Sequence, residues 1–194
     1  MGSYIFMASD SPFKTLFNPK VQLYTYEEAE RLGLKHNMVG LTLEQREERW
    51  QNIREPFAEY KGKVEYYENL EDKHELVVYP VEYPGTAYGA QGFVSVTEFT
   101  DKKHIADFSY KYTPERMKQL LNYITNHIWT AGNVELWRIW VGDDMEQFPI
   151  EYTQCEVDRL TPSHILNFKQ QRWQPSEFRP CDKMFVPGCL TIVP

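Results

Sequence analysis

One stretch of the chain has the composition of a recognition loop. Residues 85 to 92 contain three of the ten glycines, and three aromatic residues, Tyr83, Tyr88 and Phe93, lie in or beside them. Glycine-rich loops bind phosphate when a helix N-terminus follows and supplies amide groups, but a strand pattern follows here, without the Walker lysine or the dinucleotide fingerprint. Aromatic side chains among glycines are instead typical of binding loops. We therefore take Tyr83, Tyr88 and Phe93 as candidate binding residues, with a small-ligand pocket under the loop as one hypothesis.

Two adjacent carboxylates, Asp143 and Asp144, follow a predicted strand that ends at Val141. Carboxylates at the end of a central strand can bind a divalent cation or act together in acid–base catalysis. The EF-hand pattern is absent, and Gly142-Asp143-Asp144 is also an ordinary turn sequence. We keep Asp143 and Asp144 as candidate binding residues and favour a turn as the interpretation.

A thiol enzyme needs a cysteine with a histidine base nearby in space. Cys155 with His127 or His164 is the pairing that the sequence offers, but no nucleophile motif surrounds it and no G-x-S-x-G occurs. The alternating run around Cys155 predicts a strand, in which a free cysteine is usually a small buried apolar residue. We therefore expect Cys155 to be buried, and the sequence assigns no residue a catalytic role.

The three cysteines and five histidines lack the short spacings of metal sites. An odd number of cysteines without C-x-x-C is typical of reduced thiols in a reducing compartment, although Cys181 and Cys189 could close a small loop. We predict a cytoplasmic protein with no bound metal and no cofactor.

The charge balance points to one class of partner and away from two others. The net charge is −7, with 21 basic and 28 acidic residues, which disfavours binding to nucleic acid or to an anionic membrane. No apolar run approaches the length of a membrane span. An acidic surface keeps a protein soluble, and it would also complement a basic protein partner. The oligomeric state is left open.

A helix and a strand between Thr113 and Asp144 organise the chain. Thr113 can cap a helix, Pro114 suits its first position, and Gly132 is a typical end. Apolar residues at three- and four-residue spacing predict one buried face, formed by Met117, Leu120, Leu121, Ile124 and Ile128. We expect His127 to interact with the negative end of the helix dipole.

The strand that follows, residues 134 to 141, is mainly apolar on both pleat faces. One face carries Val134, Leu136 and Trp140, and the other carries Trp137, Ile139 and Val141. Such a strand is expected in the middle of a sheet. We expect Arg138 to pair with an acidic residue.

Local signals predict the remaining elements. Tyr4 to Ala8 is a short strand, and capping boxes at Thr25 and Thr42 begin two helices, the second with Leu43, Trp50 and Ile53 as its apolar stripe. Strands at 64–69, 75–83, 92–99 and 104–110 are expected to form two hairpins of consecutive strands. A strand at 150–160 and a helix from Thr161-Pro162 follow. The proline-rich tail is expected to be extended, with residues 190–193 as an edge strand.

Together these features predict a single α+β domain over residues 1–194, with an antiparallel or mixed sheet of about five to seven strands and helices mainly on one face. Within it, residues 1–60 form a strand and two surface helices, 64–172 the sheet and central helix, and 173–194 a tail packed on the body. The leading functional hypothesis is an acidic, aromatic-rich protein-binding module without enzymatic activity, of the inhibitor or immunity type. The alternatives are a small hydrolase or transferase using Asp143, Asp144 or Cys155, and a ligand-binding protein with a pocket under the glycine loop.

Overall fold

The computed structural model describes residues 2–35, 39–50, 60, 62–81, 87–89, 92–94, 99–141, 149–170, 173–175 and 183–194. The helices are α1 (Tyr26–Arg31), α2 (Leu43–Trp50), α3 (Pro114–Ala131) and α4 (Pro162–Lys169). The strands are β1 (Gly2–Ser9), β2 (Gln22–Thr25), β3 (Lys63–Tyr66), β4 (Val77–Pro80), β5 (Ala87–Gly89), β6 (Gly92–Val94), β7 (His104–Ser109), β8 (Val134–Val141), β9 (Glu151–Glu156), β10 (Trp173–Pro175), β11 (Lys183–Phe185) and β12 (Gly188–Val193). The chain forms two compact units, Phe17–Glu75 and the combination of Met1–Leu16 with Leu76–Pro194.

The larger unit is built on a six-stranded sheet in the order β4-β7-β1-β8-β12-β9. Neighbouring strands are antiparallel except β12 and β9, which are parallel. The sheet is therefore mixed. Together with the helices, it confirms the predicted α+β class and the expected range of strand number.

Strand β8 lies inside the sheet, between β1 and β12, as its two apolar faces predicted. Val134 and Leu136 are buried on one face of the sheet, in the apolar cluster to which α3 and α4 contribute. Trp137 and Ile139 are buried on the opposite face, where the Trp137 ring stacks on Phe6 with 6.3 Å between centroids. Both faces of the sheet are thus covered at β8, which is the condition under which a near-continuous apolar strand is stable.

Helix α3 begins and ends where the sequence predicted. The Thr113 side chain accepts a hydrogen bond from the Arg116 amide at 3.2 Å, and the Gly132 amide donates to the Ile128 carbonyl at 2.9 Å. Gly132 has a φ of +88°, which a side chain at this position would disfavour. The predicted stripe packs into the core of the helical face: Met117, Leu120, Ile124 and Ile128 are buried, and Leu121 is half-buried at its margin.

The predicted hairpins of consecutive strands were wrong. Strand β3 pairs with β2, β4 pairs with β7, and β6 pairs with β5. The segment between the predicted strands 64–69 and 75–83, which a hairpin would make a turn, is instead a 3-10 helix, Leu70–His74. Alternation of apolar residues identifies a strand but leaves its partner open, because the partner is selected by burial across the whole sheet.

The prediction of an edge strand near the C-terminus was also wrong. Strand β12 lies between β8 and β9, and its first three residues are all buried. A strand from the end of the chain therefore completes the interior of the sheet. It leaves β9, which precedes it in sequence, at the edge.

The smaller unit has its own antiparallel pair, β2 with β3, and a small core of Tyr26, Ala29 and Val64. Its two capping boxes are present: the Thr25 amide donates to Glu28 at 2.8 Å, and the Thr42 amide donates to Gln45 at 3.0 Å. Leu43 was expected in the apolar stripe of α2, yet 76% of it is exposed. It is the first residue of α2, and the helix does not turn it towards a core.

Candidate functional site

The two edges of the six-stranded sheet differ. The outer side of β4 is closed at Val78, which exchanges two backbone hydrogen bonds with Leu16, at 2.8 and 3.0 Å. At the other edge, β9 pairs with β12, and no strand among the described residues pairs with its outer side. An open strand edge is a template for pairing with another chain.

The backbone of β9 is set by its parallel partner. The Glu151 amide donates to the Pro187 carbonyl at 3.0 Å, so Glu151 turns its backbone groups towards β12. Because successive residues of a strand direct these groups to alternate sides, Tyr152, Gln154 and Glu156 direct theirs to the open edge. All three residues are exposed, and 67% of Tyr152 is accessible.

Helix α4 lies beside this edge and begins at the predicted Thr161-Pro162. The Thr161 amide donates to His164 Nδ1 at 3.1 Å, so His164 takes the place of the acidic residue in a capping box. The helix is anchored through Ile165, which is fully buried.

Arg138 of β8 holds the C-terminal end of α4. Its Nη1 atom donates to the Phe168 carbonyl and, at 2.7 Å, to the Gln170 carbonyl, while Nη2 donates to the Val186 carbonyl at 3.0 Å. Only 2% of Arg138 is exposed. These contacts offset the cost of burying the guanidinium, because carbonyls at a helix C-terminus carry partial negative charge. The partners in these three contacts are main-chain carbonyl groups, and the expected pairing of Arg138 with an acidic residue stays a prediction.

A cleft of about 200 Å³ lies between α4 and the β9 side of the sheet. Polar side chains converge on it from both elements, and Phe168, Gly188 and Leu190 supply apolar surface. The polar residues that line it are Arg138, Glu151, Thr153, Gln154, His164 and Asn167. A largely apolar cavity with a few convergent polar groups is the usual form of a binding site.

Of the five binding residues predicted from the sequence, three lie outside the described residues and two are described by their backbone alone. Tyr83, Asp143 and Asp144 are not among the described residues, so the carboxylate site stays a prediction. For Tyr88 and Phe93 the structure describes the backbone: they are opposite one another in the antiparallel pair β5 and β6. The sequence did not indicate the cleft, because its polar residues come from three separate elements, β8, β9 and α4, and form no local motif.

Cys155 is buried, with 8% of its surface exposed, as predicted. Its thiol donates to the Glu156 carbonyl at 3.3 Å, and burial raises the pKa of Cys155. A thiol held protonated in this way is a poor nucleophile. The strand ends one residue later than Cys155, since Val157–Arg159 form a 3-10 helix rather than the predicted continuation.

His127 does not cap α3 and belongs to the core. Its Nε2 lies 3.0 Å from the Ser9 hydroxyl oxygen, and its ring stacks on Phe13 with 4.3 Å between centroids. Burial lowers the pKa of His127, and the electrostatic influence of the nearby His104 acts in the same direction. Ser9 is fully buried, so a substrate cannot reach this serine–histidine pair in the folded state.

A second polar cluster lies on the sheet face opposite the helices. Asp107 of β7 accepts hydrogen bonds from the hydroxyl groups of Tyr4 and Tyr79. Burial raises the pKa of Asp107, and burial with the nearby carboxylate raises the pKa of Tyr79 to about 12. An aspartate in the middle of an apolar strand was the sequence signal for this cluster, which ties β1, β7 and β4 together.

No protein-family model, curated protein or solved structure matches this chain. Among the described residues, no three histidine, cysteine or carboxylate side chains are grouped as a metal ion would require. The same residues include no helix long and apolar enough to cross a bilayer.

Proposed function

We propose that this protein is a non-enzymatic protein-binding module that captures an extended segment of its partner at β9. The segment adds to the open edge as a further strand, in the groove between β9 and α4. The observation that carries the proposal is the outward backbone of Tyr152, Gln154 and Glu156 beside a largely apolar cleft on which a few polar side chains converge. In this mode of recognition, main-chain hydrogen bonds supply affinity and side-chain pockets supply specificity.

The contrast between the two sheet edges supports this role. Leu16 closes the edge at β4. At β9, by contrast, every second residue directs its backbone groups outward, at three positions along the strand. The cleft beside β9 is partly formed by Thr153 and, across from it, by Asn167 of α4. A segment laid along β9 would therefore have its alternate side chains directed towards this cleft.

The charge of the chain favours a basic partner. With a net charge of −7, the protein attracts cationic surfaces over a distance and repels acidic ones, which raises association rates with the former. An inhibitor or immunity-type accessory protein, which masks a basic partner, is the class that fits this combination of acidity and an open binding edge.

A pair of variants at one position tests the proposal. Gln154→Pro removes an outward amide from β9 without removing a hydrogen bond to β12, and proline is tolerated at an outward position of an edge strand. Gln154→Ala removes the side chain and keeps the amide. We expect wild type and Gln154→Ala to retain the same partner from native cell extract at low and moderate salt, and Gln154→Pro to lose it.

Thr153→Pro is the structural control, because the Thr153 amide faces β12 and its loss should destabilise the sheet itself. Partner retention by a folded Gln154→Pro variant equal to that of wild type would exclude strand addition at β9.

A further inference from the structure

Resting on strand addition at β9, we infer that the captured segment carries an aromatic side chain directly opposite Tyr152. The backbone groups of Tyr152 are directed to the open edge. A strand that pairs with them therefore places one of its own side chains beside the Tyr152 ring. Antiparallel pairing, the slightly more stable form, sets the two Cβ atoms roughly 5 Å apart on the same face of the sheet.

Tyr152 is the last member of a row of side chains that crosses the sheet. Phe6 of β1 is directly opposite Trp137 of β8. Cys189 of β12 is paired with Trp137 on one side and with Tyr152 on the other. Side chains at paired positions of neighbouring strands share a face, so Tyr152 lies on the face where the other three are buried together. The row thus runs from the interior of the sheet to its open edge.

The aromatic rings of this row are in contact. The Phe6 and Trp137 rings are stacked, with 6.3 Å between centroids, and the Trp137 and Tyr152 rings meet edge to face at 6.0 Å. The short side chain of Cys189 lets these last two rings meet across it. Stacked and edge-to-face arrangements at such distances are the ones that aromatic pairs prefer. An aromatic side chain beyond Tyr152 would continue this series of contacts.

Exposure rises sharply at the end of the row. Phe6 is fully buried and Trp137 is 2% exposed, whereas 67% of Tyr152 is accessible. The contact with Trp137 therefore leaves most of the Tyr152 surface available to a further side chain. Tyrosine is enriched at protein interfaces because its large, rigid ring loses little conformational entropy when it is covered. The residue opposite Tyr152 would cover this surface, and an aromatic ring would cover it best.

The charge of the chain argues against a second copy as the occupant. Each copy carries a net charge of −7, and proteins of like charge repel one another on approach. A segment of a basic protein meets no such repulsion. We therefore assign the position opposite Tyr152 to a residue of another protein.

Labelled peptides that differ at one central residue provide the test. Each peptide alternates threonine and glutamine and ends in lysines, and its central residue is phenylalanine, leucine, arginine or threonine. We expect the phenylalanine peptide to bind about three- to tenfold more tightly than the leucine peptide in fluorescence anisotropy, because a ring pair adds to the effect of apolar burial. Tightest binding by the arginine peptide would indicate a cation on the Tyr152 ring and would overturn the aromatic assignment.

Variants of the protein assign the preference to the Tyr152 ring. Tyr152→Phe keeps the ring and should keep the preference, whereas Tyr152→Ala should bind the phenylalanine and leucine peptides equally. Tyr112→Ala, which removes another exposed tyrosine outside β9, should leave the preference unchanged. Since Tyr152 is exposed, its replacement should leave the fold intact, and the circular dichroism spectrum of each variant checks this.

The outcomes separate this inference from the proposed function. Equal binding of the phenylalanine and leucine peptides, with both lost in Gln154→Pro, would overturn the aromatic pairing and leave strand addition standing. A phenylalanine preference that Gln154→Pro does not reduce would overturn strand addition and, with it, the pairing inferred here. Absence of binding by all four peptides would count against both. A dimer that sedimentation detects for wild type and not for Tyr152→Ala would assign the edge to a second copy and overturn the inference as well.

Discussion

Gly188 lies beneath the guanidinium of Arg138, so that a Cβ atom at position 188 would come within 3.2 Å of Nη2. The same Cβ would lie 3.5 Å from the Phe168 ring and 3.6 Å from the Glu151 carbonyl oxygen. The absence of a side chain at Gly188 therefore lets Arg138 cross the sheet and reach the end of α4. Four elements, β8, β12, β9 and α4, meet at this point.

Gly188→Ala should move Arg138 away from its carbonyl partners. We expect a loss of about 1 to 3 kcal/mol in the free energy of unfolding, the usual cost of overpacking a buried position. Urea denaturation monitored by tryptophan fluorescence measures it. Ser163→Ala, at an exposed position of α4, is the control with little expected effect. An unchanged midpoint for Gly188→Ala would mean that Arg138 has room to move without losing its bonds.

Replacement of Arg138, by an apolar residue or by lysine, should destabilise the protein. Arg138→Met would leave the carbonyls of Phe168, Gln170 and Val186 without this donor, and we expect a loss in the free energy of unfolding, since each buried acceptor left unsatisfied costs about 1 to 3 kcal/mol. Arg138→Lys should rescue little of it, because one ammonium group cannot reproduce the fork of a guanidinium. A lysine variant as stable as wild type would contradict this account.

The burial of each α3 side chain predicts how much stability its replacement by alanine should remove. Leu120 is fully buried, Leu121 is half-buried and 62% of Trp129 is exposed. Leu120→Ala should cost about 2 to 5 kcal/mol through lost transfer energy and a cavity. Leu121→Ala, at a position that the sequence placed on the same buried face, should lose only about 1 kcal/mol, and Trp129→Ala less again. Denaturation of the three variants under one condition checks the order, and equal losses at 120 and 121 would contradict it.

Acidification should destabilise the protein through His127. Burial lowers the pKa of His127 in the folded state, so at falling pH the unfolded chain takes up the proton first. The stability is therefore complete above the unfolded pKa of about 6.5 and is lost as the pH falls through that value towards the folded pKa. Asp107, whose pKa burial raises, contributes in the opposite sense at lower pH. His127→Gln should remove the histidine contribution, so unfolding curves measured between neutral pH and about pH 5 should depend less on pH than those of wild type. Equal slopes would contradict the prediction.

Two thiols should be unreactive in the native protein. Cys155 and Cys189 are buried, and burial raises the pKa of Cys189 to about 12. The thiolate is the reactive form of cysteine. A folded Cys181→Ser variant should therefore react slowly with a thiol reagent, and the denatured variant should react rapidly with two equivalents of the reagent, one for each remaining cysteine. Rapid modification of Cys155 in the folded variant would revive the thiol-enzyme hypothesis.

The sequence by itself determined the elements whose signals are local. Thr113, Pro114 and Gly132 bound α3 because capping bonds, a ring-constrained φ and a positive φ each depend on residues within one turn. The two-sided burial of β8 followed from its own side chains, since alternation alone assigns residues to faces.

Only the tertiary structure decided which strands are neighbours. Strand β12 enters between β8 and β9, and β4 pairs with β7 rather than with β3, because pairing depends on the burial available across the whole sheet and on chain segments far apart in sequence. The same long-range choice leaves β9 at the edge and brings Arg138, Gly188, Glu151 and the end of α4 together. No local spacing encodes that meeting, so the sequence alone could not indicate where the cleft lies.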